Sequence, residues 1–316
     1  MKIDSFAYLV GGRVLNTPSI TSFVHIAFDP HKIQRGDLYI ASDPTSIQDA
    51  IAKGAYAILF DEDLAIVDPE IAWIKVEDLE DAAKRFFRYL LIQYGTKLYV
   101  LEEIAFDLAN DSINDDRLFV SSGSALEDLK KLVEKSYECA LFKEGKYFSS
   151  LALDRQKIET AHCQMVTEYL FETSFIYMDR YFERAQVPSF LLQKLVPSLQ
   201  IALLEQLKIH PMSQSHFRPY FLNEYFEVVE FGKSDRVLIW EPKLASKSRS
   251  YLQTKVGNAA KILYLSDKKI DGFHHCSTIE ELKEILYNEN FQFALFVGKE
   301  FDFALLSKRK KQRTLF

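Results

Sequence analysis

Two rhythms of apolar spacing run through the first 95 residues. The apolar run Leu38 to Ala41 is short and continuous, as in a buried strand. Ile47, Ala50 and Ile51 follow at the three-and-four spacing of an amphipathic helix, which Gly54 ends. Ala55 to Phe60 is a second apolar strand, so the stretch reads as a βαβ step. Phe23 to Phe28 and Ile71 to Val76 add further strands, with turns marked by Pro30 and by Arg35, Gly36 and Asp37. Gly36 supplies the backbone freedom for the tight approach to the strand at Leu38. Asp78 then opens a helix whose face is Leu79, Ala82, Ala83, Phe86, Phe87, Leu90 and Leu91, closed at Gly95.

Beyond residue 95 the pattern predicts strands at 97–101, 117–121 and 138–142, with a helix over 124–135 capped by Ser124. Residues 155–208 read as long, aromatic-rich helices interrupted at Pro188 and Pro197. The run from Tyr169 to Phe182 is too apolar for one wet face, which predicts a buried helix or a contact between domains. Strands at 236–240, 261–265 and 291–297 alternate with helices at about 244–256 and 278–288, the second capped at Ser277 or Thr278 with Glu280 and Glu281. Such alternation implies a parallel sheet covered on both faces. The expected class is α/β, in three parts: 1–95, a reduced middle region 96–226 with aromatic-rich helices, and a Rossmann-like 227–316 with a basic tail.

Composition narrows the function. With 316 residues and 48% hydrophobic content, a sizeable core is available. A formal net charge of -6 argues against a mainly nucleic-acid-binding surface. No apolar run approaches the ~20 residues of a membrane helix, and the first residues lack a signal-peptide pattern. Three cysteines without a CxxC pair (Cys139, Cys163, Cys276) point to reduced thiols and a cytoplasmic setting. Only 11 glycines leave few for phosphate-binding loops.

The residues Asp29, Lys32, Ile33, Gly36, Asp37, Leu38 and Ala41 match a segment of the Mur ligases, the enzymes that add peptide residues to peptidoglycan precursors. The chain resembles that family, MurE and MurF in particular, over about 25–95. The resemblance implies a Mur-ligase N-terminal domain, which binds a nucleotide sugar. Where the family has uridine-facing Ser/Thr positions this chain has Ala27, Phe28 and Pro30, and His31 replaces its arginine. The family's Asp-Gly-His loop is shortened to Asp43, Pro44, Thr45 and Ser46. The third part parallels a Mur C-terminal domain through Phe217, Arg218 and Pro219, then Gly232, then Trp240, Glu241 and Pro242. Val297, Gly298 and Lys299, where the last strand ends, loosely resemble the family's Lys-Gly-Ser after its last strands.

The family also implies an ATP-binding Gly-x-x-Gly-Lys-Thr/Ser loop after a strand, and this sequence has none. Gly232, Lys233 and Ser234 carry the last three letters, but Val229 replaces the earlier glycine and a strand follows instead of preceding. The span between the first and third parts is also short for a Mur ATPase domain. Ser121 to Ser124 does lie between a strand and a helix, so Ser122 and Gly123 are candidate anion-binding amides as well as a plain helix cap. His274, His275 and Cys276 offer metal-type ligands without a second cluster at familiar spacing, and read as a strand edge. Glu102–Glu103 and Asp115–Asp116 read as solvated acidic pairs. Gln312, Leu315 and Phe316, behind Lys308 to Lys311, resemble the pentapeptide with which replication and repair proteins dock on the sliding clamp; a frayed basic tail is the plainer reading.

The expectation is a non-catalytic Mur-ligase-like protein without cofactor, metal or catalytic residues. It would bind a UDP-sugar-peptide precursor or a cell-wall enzyme through Asp29, His31, Lys32 and Asp37. A divergent UDP-MurNAc-peptide ligase and a clamp-associated DNA-maintenance factor are the alternatives.

Overall fold

A computed structural model describes residues 1–159, 162–257 and 260–308. Contacts gather the chain into two compact units, Met1–Glu103 with Asp116–Lys157, and Ile104–Asp115 with Ile158–Phe316. The expected middle region, 96–226, is divided between them.

The first unit opens with a helix not expected from the sequence, α1 (Ile3–Val10), then β1 (Arg13–Val14), β2 (Ile26–Ala27), β3 (Leu38–Ile40), α2 (Ile47–Ala52), β4 (Ala57–Phe60), β5 (Ala72–Lys75) and α3 (Leu79–Tyr94). The strands stand in the order β1-β5-β4-β3-β2. β2 to β5 are parallel, and β1 is antiparallel to β5. Period-two geometry sorts the side chains: Leu38, Ile40, Ala57 and Leu59 pack under α1 and α3, while Tyr39, Ile58, Phe60 and Trp73 join α2 on the other face. Asp78 accepts hydrogen bonds from the amides of Glu80 and Asp81, and Gly95 ends α3 in the left-handed region at φ 66°. Gly36 adopts φ 103°, and a Cβ there would meet a Val24 methyl at 3.3 Å. Gly36→Val should therefore lower the melting midpoint of this unit, at a cost of about 1–3 kcal/mol. An unchanged melting curve would count against that turn.

A small parallel sheet in the order β6-β8-β7 completes the unit, built from β6 (Lys97–Leu101), β7 (Leu118–Val120) and β8 (Cys139–Lys143). Between β6 and β7 comes α4 (Glu103–Ser112), between β7 and β8 comes α5 (Ala125–Glu134), and α6 (Lys146–Leu151) follows β8. Glu102 and Glu103 are thus not a strand pair, because β6 stops at Leu101 and Glu103 starts a helix. Most of α4 belongs to the second unit. Asp111 accepts hydrogen bonds from the amides of Gln214 and Ser215, and Ser112 Oγ bonds the backbone of Met212.

In the second unit the aromatic-rich segment 165–182 corrects the helical expectation. It forms an antiparallel three-stranded sheet, β9 (Gln164–Glu168), β10 (Thr173–Tyr177) and β11 (Arg180–Ala185), in the order β11-β10-β9. Met178 and Asp179 make the β10–β11 turn with φ of 46° and 60°, a mirror-image turn without its usual glycine, so the hairpin signal was missing. Helix α7 (Leu192–Leu204) follows and continues through Pro197 instead of breaking there.

A mixed sheet closes the unit, in the order β13-β12-β14-β17-β15-β16. Its elements are β12 (Arg218–Leu222), β13 (Val228–Val229), β14 (Val237–Glu241), α8 (Ala245–Val256), β15 (Ile262–Ser266), β16 (His274–His275), α9 (Ile279–Asn288) and β17 (Phe293–Val297). β14, β17, β15 and β16 are parallel, as expected. Leu238, Trp240 and Phe296 face Leu282 and Leu286 of α9, whereas Val237, Ile239 and Leu295 face Tyr251 and Leu252 of α8. Both faces are covered, and the α/β class holds. At α9 the expected cap forms: Thr278 Oγ1 accepts the Glu281 amide, and the Glu281 carboxylate accepts the amide and hydroxyl of Ser277. No helix among the described residues is long and apolar enough to cross a membrane.

Candidate functional site

Of the six expected ligand residues, the first unit brings Asp29, Lys32 and Asp37 to one pocket of 260 Å³, lined also by His25, Lys130 and Glu134. Asp29 ends β2's extension and accepts the amide of His31 at 2.9 Å, which starts a short 3-10 turn that carries Lys32. Asp37 stands just before β3 and is 4% exposed. Its Oδ2 accepts the Gln34 amide at 2.9 Å, while Oδ1 is buried without a hydrogen-bond partner; His25 Nδ1 lies 3.5 Å away. His31 points elsewhere: it is exposed, its carbonyl accepts Lys53 Nζ, and it does not line the pocket. Ala27 and Phe28 form an apolar wall. A buried carboxylate oxygen without a hydrogen-bond partner, in a pocket that two lysines also line, suits a ligand that offers an N–H or O–H together with an anionic group.

The strand-to-helix loop at Ser121–Ser124 is built around two acids of its own chain. Asp128, fully buried on α5, accepts hydrogen bonds from the Ser121 hydroxyl, from the Ser122 amide and hydroxyl at 2.7 Å each, and from the Tyr147 hydroxyl at 3.0 Å. Burial, reinforced by the Asp128 charge, pushes the Tyr147 hydroxyl well above its ordinary pKa. The Gly123 amide bonds the Ser121 hydroxyl. At the start of α5 the Glu80 carboxylate takes the amides of Ala125 and Leu126 and the Ser124 hydroxyl. Ser122 and Gly123 thus lie where the sequence puts them, but a side-chain carboxylate already sits on the helix's first amides. Gly232 to Ser234 form a turn ahead of β14, Ser234 Oγ donating to the Leu222 carbonyl. From β6 the chain reaches α4 through Glu102 alone, with no glycine.

A third constellation, in the second unit, escaped sequence reasoning. His216 is fully buried, its Nδ1 3.1 Å from Glu241 Oε1 and its Nε2 3.3 Å from Asp107 Oδ2. Glu241, also fully buried at the end of β14, accepts the amides of Phe217, Lys243 and Leu244 and the Ser248 hydroxyl. Lys243 Nζ reaches Asp107 at 3.4 Å. Burial alone would lower the His216 pKa; hydrogen bonds to Asp107 and Glu241 outweigh it and raise it to about 9. The imidazolium, enclosed on both nitrogens, is placed to orient the β14–α8 turn and not to touch a substrate. The one sequence signal was an acid closing an apolar strand.

His274 and His275 are exposed on the marginal strand β16, with Cys276 buried next to them. Burial raises the Cys276 and Cys163 thiols to about 11 each. Gln312, Leu315 and Phe316 lie outside the described residues.

No protein-family model matches the sequence. No curated protein is similar to it in sequence. Solved structures do match. One is the UDP-N-acetylmuramoylalanyl-D-glutamyl-2,6-diaminopimelate–D-alanyl-D-alanyl ligase of Acinetobacter baumannii, at a TM-score of 0.55 and 12% identity, covering 96% of both chains. Another is the MurF ligase of Thermotoga maritima in complex with ADP, at a TM-score of 0.53 and 10% identity, covering 89% of this chain and 94% of that one. At such identities the likeness is one of fold, and the chain has a Mur-ligase-like α/β fold.

Proposed function

We infer that this protein uses the Mur-ligase-like fold for binding and not for ATP-driven ligation. Its ligand would be a peptidoglycan precursor of the UDP-sugar-peptide kind, or a protein of that pathway, met in the cytoplasm. The observation that carries this reading is the Asp37 pocket, where a buried carboxylate oxygen without a hydrogen-bond partner, 3.5 Å from His25 Nδ1, shares its walls with Lys32 and Lys130. A donor group and an anion on one ligand would satisfy both features. The non-catalytic part is supported by the sequence, which has no Gly-x-x-Gly-Lys-Thr/Ser loop, and by Glu80, which sits on the amides that could otherwise hold a phosphate.

Calorimetric titration separates this reading from a divergent ligase. A UDP-sugar-peptide should bind, and Asp37→Ala should weaken it by about tenfold, the value of one charge-assisted hydrogen bond. Mg-ATP should give no heat of binding. Tight ATP binding, or phosphate release once precursor is added, would sink the non-catalytic reading.

A further inference from the structure

A polar crevice of 550 Å³ in the first unit shares no lining residue with the Asp37 pocket. It opens where the parallel strands β4 and β5 end, and open α/β folds receive their ligands at the carboxyl ends of such strands. Its volume lies within the ~300–1,000 Å³ of small-molecule sites. Two glycines shape one wall. Gly12 runs so close to β5 that a Cβ would meet Ile74 Cγ2, the Lys75 carbonyl and Val76 Cγ1 at 3.0 Å each. Gly11 ends α1 at φ 72°, and the Arg85 guanidinium comes within 3.2 Å of where its Cβ would stand. Backbone therefore forms this wall, with no room for a side chain at Gly12.

The charges that line the crevice come in two like pairs. Arg13 is the partner of Lys75 across the antiparallel β1–β5 ladder, so both cations stand on one face of the sheet. Like charges placed directly opposite each other are destabilising unless an anion answers them. Lys75 has such an answer in Asp63, which bonds it from outside the lining with a side chain 97% exposed. Lys75 first, and Arg13 least, hold the Asp63 carboxyl below its ordinary range. The Arg13 guanidinium itself has no hydrogen bond or ion pair among the described residues.

The second pair is acidic. Asp61 follows β4, and its Oδ2 accepts the Leu79 amide at 3.2 Å; Glu77 follows β5 and is exposed. The Glu77 carboxylate, like the Arg13 guanidinium, is without a partner among the described residues. A simple anion would answer Arg13 and Lys75 but be repelled by Asp61 and Glu77, and a simple cation would meet the reverse. A molecule that carries both charges a few bonds apart answers all four.

We propose that this crevice binds a small zwitterion of the amino-acid or dipeptide kind, its carboxylate accepting from Arg13 and Lys75 and its ammonium donating to Asp61 and Glu77. The assignment stands apart from whatever fills the Asp37 pocket. Calorimetric titration of the full chain with the dipeptide alanylalanine tests it. The dipeptide should bind. N-acetyl-alanylalanine, which lacks the ammonium, and alanylalaninamide, which lacks the carboxylate, should each bind at least about fivefold more weakly. Arg13→Ala and Glu77→Gln should weaken the dipeptide by a similar factor and melt where the unaltered chain does, since neither side chain has a partner to lose. About 0.5 M salt should weaken binding as well. No heat at about 10 mM dipeptide, tenfold above a Kd of about 1 mM, would overturn the proposal. So would equal binding of the acetylated dipeptide, which would make the crevice a plain anion site, or dipeptide binding unchanged by both substitutions.

Discussion

Glu241→Ala should unfold the second unit at much lower denaturant than the unaltered chain, with a loss of about 3–5 kcal/mol, the usual cost of removing one partner from a buried ion pair. The carboxylate is fully buried and accepts from His216, Phe217, Lys243, Leu244 and Ser248, so alanine strands an imidazolium and four further donors at once. His216 adds a pH dependence. Its folded pKa of about 9 lies above the ordinary 6.5, so the folded state binds the proton more tightly than the unfolded one. That contribution is complete below about pH 6.5 and disappears as pH rises through about 9; a gap of this size corresponds to about 3 kcal/mol. Urea midpoints at about pH 6 and about pH 10 should differ accordingly in the unaltered chain. Glu241→Gln keeps the shape but removes one charge, so its decline should begin at lower pH. A midpoint insensitive to alkaline pH in the unaltered chain would show that His216 is not held as the cation.

This network also shows where the sequence stops being legible. Leu38 to Ala41, Ala55 to Phe60 and the α3 face could be read because periodicity and caps are local, and α8, α9 and their strands followed for the same reason. His216 could not be read, because its partners lie 25 and 109 positions away. The aromatic run after Tyr169 failed for another reason. Phe175 and Tyr177 are buried around a half-buried Ile176, a period of two, but the short strands are joined by Met178 and Asp179, a turn without the glycine that usually marks it. The ligand residues divide similarly. Asp29, Lys32 and Asp37 converge because one tight turn places them together, whereas the pocket's far wall, Lys130 and Glu134, comes from a helix about a hundred residues on.

Asp128→Ala should be the most damaging single change in the first unit, at about 3–4 kcal/mol. The side chain is fully buried and gathers the Ser121 hydroxyl, both donors of Ser122 and the Tyr147 hydroxyl, so alanine leaves four donors facing a void. Asp128→Asn should cost about half as much, because Oδ1 can still accept from Ser122 while the hydroxyls turn to accept from the amide group. The companion change, Glu80→Ala, reports on function more than on folding. Removing that carboxylate should cost about 1 kcal/mol as a lost helix cap and leave the first amides of α5 without an anion. Phosphate at about 10 mM should then raise the melting temperature of Glu80→Ala but not that of the unaltered chain. Equal stabilisation of both would mean that Glu80 does not hold the site, and would restore Ser122 and Gly123 as binders of an external phosphate. If only the variant responds, the loop between β7 and α5 is a phosphate-type cradle closed by the chain's own acid.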